Sequence, residues 1–184
     1  RKFGVKYITL YTFSTENWKR TQEEVGFLMG LITTHLRNEF EFYKENGVRL
    51  MHIGDKAGLP MEVQTEINLA IEDCKNFNDI TAILAINYGG RDEILRAAKK
   101  FAKSANINSA TEQDFSSFLD TNNVPDVDLL IRTGSEMRTS NFLPWQAAYA
   151  ELYFDDKLWP DYTEEDFEKA LNSFQNRQRR FGKA

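Results

Sequence analysis

The chain has 184 residues, of which 41% are hydrophobic and 28% are charged, a composition typical of a folded globular protein and not of a disordered one. Its formal net charge of −5 argues against nucleic acid as a partner, because nucleic-acid-binding domains are usually basic. No apolar stretch reaches the ~20 residues of a membrane-spanning helix. The lone cysteine, Cys74, excludes a disulfide framework and a cysteine-based metal site, so we expect a reducing, cytoplasmic setting.

Two hydrophobic periodicities alternate along the chain, which predicts strands alternating with helices. The predicted strands cover residues 7–13, 48–53, 80–86, 127–131 and 150–154. The predicted helices cover residues 21–46, 60–77, 91–105, a short segment beginning near Thr111, and 163–177. This alternation is typical of an α/β fold with a mostly parallel sheet flanked by helices, and we expect residues 1–184 to form a single domain.

The segment from Thr21 to Asn46 predicts one long, uninterrupted helix. Its apolar residues recur every three or four positions, as on one face of a helix: Val25, Leu28, Ile32, Leu36, Phe40 and Tyr43. Gly47 supplies the stop.

Ligands of open parallel sheets bind beyond the carboxyl ends of the strands, so the segments that follow the predicted strands are the first place to look for a site. Residues 14–20, 87–91 and 132–141 each combine arginine with glycine or small hydroxyl side chains. Guanidinium groups, free backbone N–H groups and hydroxyls are the donors that bind phosphate. These segments together predict an anionic ligand, a diphosphate being the best match.

Each of these segments also has a purely structural interpretation. Arg132 and Arg138 could form salt bridges on a solvated loop, residues 87–90 could be only a tight strand-to-helix turn, and Trp18 could simply pack. Asn17 is harder to explain in this way, because a polar amide beside a large ring at a strand end has little structural purpose.

The two histidines, His35 and His52, are isolated on a predicted helix and a predicted strand, where a structural role is expected. The sequence contains no Ser/His/Asp set, no His/Cys metal cluster and no Walker-type Gly-Lys-Ser loop. We therefore expect neither triad catalysis nor nucleotide binding through such a loop.

At these segments the chain resembles the cis-prenyltransferases, and in particular the undecaprenyl diphosphate synthase group. The resemblance covers essentially the whole chain. Its principal motifs are Tyr11–Arg20 (YTFSTENWKR), Asn87–Arg91 (NYGGR), Asp128–Thr133 (DLLIRT) and Ser140–Phe154 (SNFLPWQAAYAELYF), extended by Leu158–Asp161 and Arg179–Gly182.

The resemblance implies an enzyme that condenses isopentenyl diphosphate repeatedly onto an allylic diphosphate, usually farnesyl diphosphate, to make a long cis-polyprenyl diphosphate such as undecaprenyl diphosphate, the lipid-carrier precursor for cell-wall polysaccharide. Carried over position by position, the residues that match the substrate-lining segment are Ser14, Thr15, Glu16, Trp18 and Arg20. Those that match the isopentenyl diphosphate headgroup site are Arg132, Arg138 and Ser140. Thr139 stands where the family has an aliphatic residue, and we count it as a further candidate for substrate binding. Asn17 matches the catalytic residue that is connected with proton removal.

The resemblance also implies a cofactor and a partner. Glu151 matches a ligand of Mg²⁺, and the segment Arg180–Gly182 resembles a tail that reaches into the partner's active site in a homodimer. The growing apolar product needs a long cavity, for which the helix over residues 21–46 could form a wall, and its release could involve peripheral contact with a membrane.

We do not expect Asn17 to act as a base, because an amide has no useful basicity near neutral pH. Our hypothesis is that Asn17 orients a water molecule or the substrate diphosphate, which then takes the proton.

The chain departs from the family pattern at its beginning. The family's first motif, which supplies a key Asp for the allylic diphosphate and an expected co-ligand of Glu151, has no match here. We therefore expect an N-terminal strand and helix to be missing and these residues alone to have little activity. The alternatives are a non-catalytic partner subunit of the same fold, an inactive fragment, or an unrelated phosphate-binding α/β enzyme. The non-catalytic subunit is disfavoured because the chain retains all five of the polar residues that such a subunit would not need: Asn17, Arg20, Arg132, Arg138 and Glu151.

Overall fold

The apolar strands of the first part of the chain pair into a parallel sheet. In the computed structural model, which describes residues 1–104 and 107–178, these strands are β1 (Tyr7–Ser14), β2 (Val48–Ile53) and β3 (Ile80–Tyr88). Their order is β1-β3-β2, and both pairs are parallel. The central strand β3 is the most apolar of the three, and Ile83, Ala85 and Ile86 are fully buried, as expected for a strand covered on both faces.

The helices of this part of the chain cover the sheet and close its core. They are α1 (Gln22–Asn38), α2 (Phe40–Glu45), α3 (Met61–Cys74), α4 (Gly90–Phe101) and α5 (Glu112–Ser116). α3 packs against α1, α2 and β2. Its apolar residues Val63 and Ile67 are 2% exposed and join a core that includes Leu36 of α1 and Leu50 of β2.

The prediction of one uninterrupted helix over residues 21–46 is wrong, because the helix breaks at Glu39. This residue has φ −94° and ψ 8°, outside the helical range, and α2 begins directly after it. The apolar stripe nevertheless continues across the break, since Leu36 before it and Tyr43 after it are buried in the same core. A periodic stripe reports which face is buried and does not require the helix axis to be straight. Gly47, with φ +60°, follows α2 as expected.

Smaller differences concern the ends of other elements. α3 ends at Cys74 and not near Phe77, and α4 ends at Phe101, whereas the predicted end at Ala105 lies outside the described residues. Thr111 caps α5 as predicted, accepting a hydrogen bond from the backbone N–H of Asp114.

The last part of the chain has its own parallel strand pair and a long helix. The elements are β4 (Leu129–Arg132), β5 (Glu151–Phe154) and α6 (Glu164–Gln175), and α6 packs against β5. Thr163 and Asp166 form a capping box at the start of α6. Lys157 also pairs with Asp166 at 2.6 Å, which ties the segment after β5 to the helix.

The chain divides into two compact units, Arg1–Asn123 and Val124–Ala184, each with parallel strands and flanking helices. The predicted α/β class with mostly parallel strands is therefore confirmed, and the single domain over residues 1–184 stays a prediction. Within residues 1–104 and 107–178, no helix combines the length and apolarity that crossing a membrane would need.

Candidate functional site

The segment after β1 forms a short 3₁₀ turn, Thr15–Lys19, which carries most of the residues predicted in the first unit. The pairing of β1 with β3 shifts register after Tyr11 and again after Phe13. Such irregularities re-aim the side chains at a strand end. The turn therefore starts where the regular pairing of β1 with β3 is interrupted.

Asn17 holds this turn closed. Its Oδ1 accepts a hydrogen bond of 2.8 Å from the backbone N–H of Ser14, an arrangement that satisfies a donor at the start of the turn. Because the amide oxygen is already engaged, the Asn17 amino group, which is only a donor, is the part suited to a ligand oxygen or a water molecule. That Asn17 orients a group and does not itself accept a proton stays a hypothesis.

The other side chains of the turn are accessible. Thr15 donates a hydrogen bond of 3.1 Å to Glu16, and Arg20, directly after the turn, is exposed. No ion pair links Arg20 to any acidic residue in the described part of the chain. An exposed guanidinium in this position is available to an anion.

Trp18 is not a core residue, since it is 39% exposed. Its indole Nε1–H donates a hydrogen bond of 2.7 Å to Oδ1 of Asn87, at the end of β3. Its ring meets the buried ring of Phe13 edge-on, with centroids 5.1 Å apart. The indole is therefore held at its polar edge and against the core while part of it remains open to solvent.

Asn87 links this turn to the segment after β2. Its Nδ2 donates to the carbonyl oxygen of Asp55 at 2.8 Å, and its own carbonyl accepts from the Asp55 N–H at 3.0 Å. Asn87 adopts φ +53°, a left-handed conformation that asparagine tolerates better than most residues. The sequence suggested an anion-binding segment or a tight turn at residues 87–91, and neither interpretation indicated this link.

Arg96, Asp92 and Asp120 form a cluster of charged side chains that no sequence pattern indicated. Arg96 of α4 makes two hydrogen bonds to Asp120, at 2.6 and 2.8 Å, and a third to Asp92. Asp120 also accepts the backbone N–H of Gly54 at 2.9 Å. Burial by itself would raise the pKa of the Asp120 carboxyl, but the hydrogen bonds and the charge of Arg96 lower it overall.

A further buried pair supports the start of α4. The Tyr88 hydroxyl donates a hydrogen bond of 2.6 Å to Glu93, which also accepts the backbone N–H of Asp120. Burial and the charge of Glu93 raise the pKa of Tyr88. Tyr88 therefore stays a protonated donor.

In the second unit, Arg132 has an unusual side-chain environment. It ends β4, and its Nε atom is buried without a hydrogen-bond partner among the described residues. A buried donor without an acceptor costs about 1–3 kcal/mol. The salt-bridge interpretation of Arg132 is wrong within the described chain, because none of its ion pairs includes this residue.

Arg138 fits its structural alternative more closely. It is exposed and pairs with Glu136 two residues earlier. Exposed pairs of this kind contribute little stability, commonly less than about 1 kcal/mol, so an anion of higher charge can displace Glu136.

The segment after β4 bends sharply around Thr139 and Ser140. Ser140 adopts φ +50°, and the carbonyl of Thr139 accepts the N–H of Phe142 at 3.1 Å. Left-handed backbone recurs at Gly134, Ser135, Asn141 and Leu143. Backbone of this type turns successive N–H groups in a way that can suit an anion.

Glu151 is the first residue of β5, and its carboxylate accepts a hydrogen bond of 2.8 Å from Nη1 of Arg177. The described residues contain no group of three or more His, Cys, Asp or Glu side chains that could hold a metal ion. Mg²⁺ needs few protein carboxylates, because it keeps water and takes phosphate oxygens as ligands. A single carboxylate is therefore compatible with Mg²⁺ chemistry, and the assignment of Glu151 to Mg²⁺ stays a prediction.

The predicted residues are divided between the two units, and within the second unit they do not all lie together. Glu151 is level with Leu129 in the β4–β5 pairing, whereas Arg132 is level with Phe154, so Glu151 and Arg132 lie at opposite ends of this strand pair. Residues Ser14–Arg20 lie in the first unit, and Arg132, Arg138, Thr139, Ser140 and Glu151 lie in the second. The predicted tail, Arg180–Gly182, lies outside the described residues. That the two groups serve one ligand stays a prediction.

The chain is similar to known proteins over nearly all of its length. Residues 1–182 match the family described as "Putative undecaprenyl diphosphate synthase". Isoprenyl transferases of Treponema denticola and Thermotoga maritima are 55% and 47% identical, and each match covers 98% of this chain and 79% of the relative.

Two solved structures are similar as well. The "probable undecaprenyl diphosphate synthase" of Campylobacter jejuni is 40% identical, with a TM-score of 0.89 over 97% of this chain and 84% of that one. The lavandulyl diphosphate synthase of Lavandula x intermedia, solved in complex with dimethylallyl diphosphate, is 36% identical, with a TM-score of 0.95 over 99% of this chain and 81% of that one.

Proposed function

Since this chain belongs to the undecaprenyl diphosphate synthase family of isoprenyl transferases, we propose that it condenses isopentenyl diphosphate with an allylic diphosphate, farnesyl diphosphate being the expected starter. In each cycle the allylic carbon–oxygen bond breaks, diphosphate leaves, and a carbon–carbon bond forms to the terminal alkene carbon of isopentenyl diphosphate. A proton then leaves the isopentenyl unit. Repetition with cis geometry gives a long polyprenyl diphosphate, and we propose undecaprenyl diphosphate as the product.

The buried Nε of Arg132, which lacks a partner among the described residues, is the observation that carries this proposal. A diphosphate oxygen would supply the missing acceptor and would offset the cost of burying the donor. Arg132 then holds the isopentenyl diphosphate headgroup. The exposed Arg138 adds a second guanidinium when it exchanges Glu136 for phosphate, with Thr139 and Ser140 at the same bend.

The turn after β1 contributes donors for phosphate oxygens and a surface for the apolar chain. Its accessible Arg20 and the hydroxyls of Ser14 and Thr15 are donors for phosphate oxygens. The amino group of Asn17 orients the water or the diphosphate oxygen that takes the proton, while its oxygen remains bound to Ser14. Trp18 offers an open aromatic surface to an apolar chain.

Glu151 would hold Mg²⁺ together with phosphate oxygens and water, and the ion would supply positive charge to offset the negative charge of a diphosphate leaving group. We also propose, from the resemblance, that the protein is a cytoplasmic homodimer and that it contacts a membrane peripherally when the product is released. The lavandulyl diphosphate synthase, whose structure contains dimethylallyl diphosphate, supports an allylic diphosphate as the substrate class.

The test uses the protein expressed from its complete reading frame, with Mg²⁺, labelled isopentenyl diphosphate and farnesyl diphosphate. We expect a ladder of chain lengths that ends at undecaprenyl diphosphate, and loss of the product with EDTA. Dimethylallyl diphosphate alone, offered in a parallel reaction, tests for a short-chain synthase instead. Binding of isopentenyl diphosphate without any product would identify a non-catalytic subunit.

The residue assignment is tested with Arg132→Gln and Arg132→Lys. We expect the KM for isopentenyl diphosphate to rise on the order of tenfold or more for Arg132→Gln, because a charge-assisted hydrogen bond contributes about 1.5–3 kcal/mol. Arg49→Gln, which removes an exposed arginine of β2, is the matched control and should leave KM unchanged. Equal KM values for all three variants would contradict the assignment.

A further inference from the structure

Asn87 joins the candidate turn after β1 to the segment after β2. It stands on the central strand β3, is 5% exposed, and makes three hydrogen bonds, one to Trp18 and two to the backbone of Asp55. Trp18 is 69 positions away along the chain and Asp55 is 32 away. We propose that Asn87 is a positioning residue for prenyl transfer, which fixes Trp18 and through it the turn that carries Asn17. The proposal rests on the proposed function of that turn.

The side chain of Asn87 meets requirements that few residues combine. Its oxygen accepts from the indole N–H, and its amino group donates to a carbonyl, so both ends of the amide are used. An aspartate would face the Asp55 carbonyl with a second acceptor and no donor. A glycine would tolerate φ +53° but would make neither side-chain bond.

The neighbouring glycines leave room for this arrangement. A Cβ at Gly58 would lie 2.8 Å from the Asn87 amino group, and a Cβ at Gly54 would lie 2.8 Å from the Asn87 carbonyl oxygen. The segment after β2 thus approaches Asn87 too closely for side chains at these positions. Asn87 is therefore held against the segment after β2 by its two hydrogen bonds to Asp55, and its side-chain oxygen accepts the hydrogen bond from Trp18.

Trp18 in turn depends on Asn87 for its orientation. The edge-on contact with Phe13 holds the ring against the core, but this contact is apolar and does not engage the indole N–H. The hydrogen bond to Asn87 fixes the indole N–H. Asn17 precedes Trp18 in the same turn, so a change in the Trp18 backbone moves the residue assigned to proton removal. Misplacement on the scale of 1 Å can cost on the order of a hundredfold in rate.

The first experiment observes the contact directly and needs no substrate. The indole N–H signals of ¹⁵N-labelled protein are recorded by NMR, and the Trp18 signal is assigned by its loss in Trp18→Phe. In Asn87→Gly we expect this signal to move upfield and its hydrogen to exchange faster with solvent. Asn123→Gly is the matched control, because Asn123 also has positive φ (69°) but is exposed, and it should leave the Trp18 signal in place.

The second experiment measures the reaction. For Asn87→Gly we expect kcat to fall on the order of tenfold to a hundredfold, with a smaller change in either KM. The double variant Asn87→Gly/Trp18→Phe should be no slower than Trp18→Phe, since Asn87 acts through the indole N–H. Should Asn87→Gly fail to fold, Trp18→Phe alone must still lower kcat, because it removes the donor and leaves Asn87 intact.

The proposal is overturned by an unchanged Trp18 signal in Asn87→Gly, by an unchanged kcat, or by additive losses in the double variant. A wild-type protein without prenyl transfer contradicts the proposed function instead. The NMR comparison then decides separately whether Asn87 orients Trp18.

Discussion

Arg177 donates a hydrogen bond of 2.8 Å from Nη1 to the carboxylate of Glu151, and the same nitrogen lies 3.0 Å from the carbonyl oxygen of Leu152. Arg177 follows α6, whereas Glu151 and Leu152 open β5. The one side chain assigned to the metal is therefore oriented by a residue 26 positions later in the chain.

The first prediction concerns this pair. Both side chains are about one-third exposed, so a double-mutant cycle of Arg177→Met and Glu151→Gln should give a coupling free energy of about 0.5–1 kcal/mol. Urea denaturation at low ionic strength measures it, and added salt should reduce it. The control is the double-mutant cycle of Lys44→Met and Glu41→Gln, a more exposed pair on α2, which should give a smaller coupling free energy. Equal coupling free energies for the two pairs would mean that Arg177 does not hold Glu151 in its orientation.

The second prediction concerns the support behind the candidate turn. Asp120→Asn should lower the free energy of unfolding by about 3 kcal/mol, because it leaves the Arg96 guanidinium without its more buried partner. Asp92→Asn removes the more exposed carboxylate from the same guanidinium, 39% exposed against 13% for Asp120, and should cost less than about 1 kcal/mol. Urea unfolding of both variants tests this order, and the reverse order would contradict it.

The third prediction concerns pH. Burial lowers the pKa of His52, although its hydrogen bond with the Ile86 carbonyl, at 3.0 Å, opposes the shift. The unfolded chain then binds a proton near pH 6.5 that the folded chain does not, so stability should fall as pH drops from about 6.5 toward the folded pKa. His52→Gln, which can still donate to the carbonyl, should flatten this dependence when unfolding is followed from pH 7.5 to about 5.5.

The chain has only one other histidine, which makes the pH control direct. His35 lies on the surface of α1, with its side chain 69% exposed. His35→Gln should leave the pH dependence as in the wild type. A slope that survives in His52→Gln would show that another group is responsible.

The fourth prediction concerns Gly54. It has φ +118°, and a Cβ there would lie 2.3 Å from the Ile86 carbonyl oxygen. Gly54→Ala should therefore lower the free energy of unfolding by several kcal/mol. The backbone at Ile86 would have to move away from the new Cβ, and alanine would be strained at this positive φ. Gly4→Ala is the matched control, because Gly4 has φ +75° with open space around it and should cost only about 1 kcal/mol. Similar melting temperatures for the two variants would contradict the steric argument.

Local sequence was sufficient for the element types and for most capping residues. Strand and helix periodicity depends on which face is buried, which neighbouring residues reveal by themselves. Thr111 and Thr163 could be recognised as helix starts because their partners lie three residues later. The break at Glu39 could not, since the same apolar stripe continues on both sides of it.

The sequence by itself determined the α/β class, the candidate binding residues and the family resemblance, because each follows from residue types within short segments. Only the tertiary structure decided that Asn87 holds Trp18, that Asp120 accepts Arg96, and that the Nε of Arg132 lacks an acceptor in the described chain. The first two contacts join residues 69 and 24 positions apart, and the third depends on everything that packs around one nitrogen. No local pattern records such relationships, since they arise from the meeting of separate segments in the folded core.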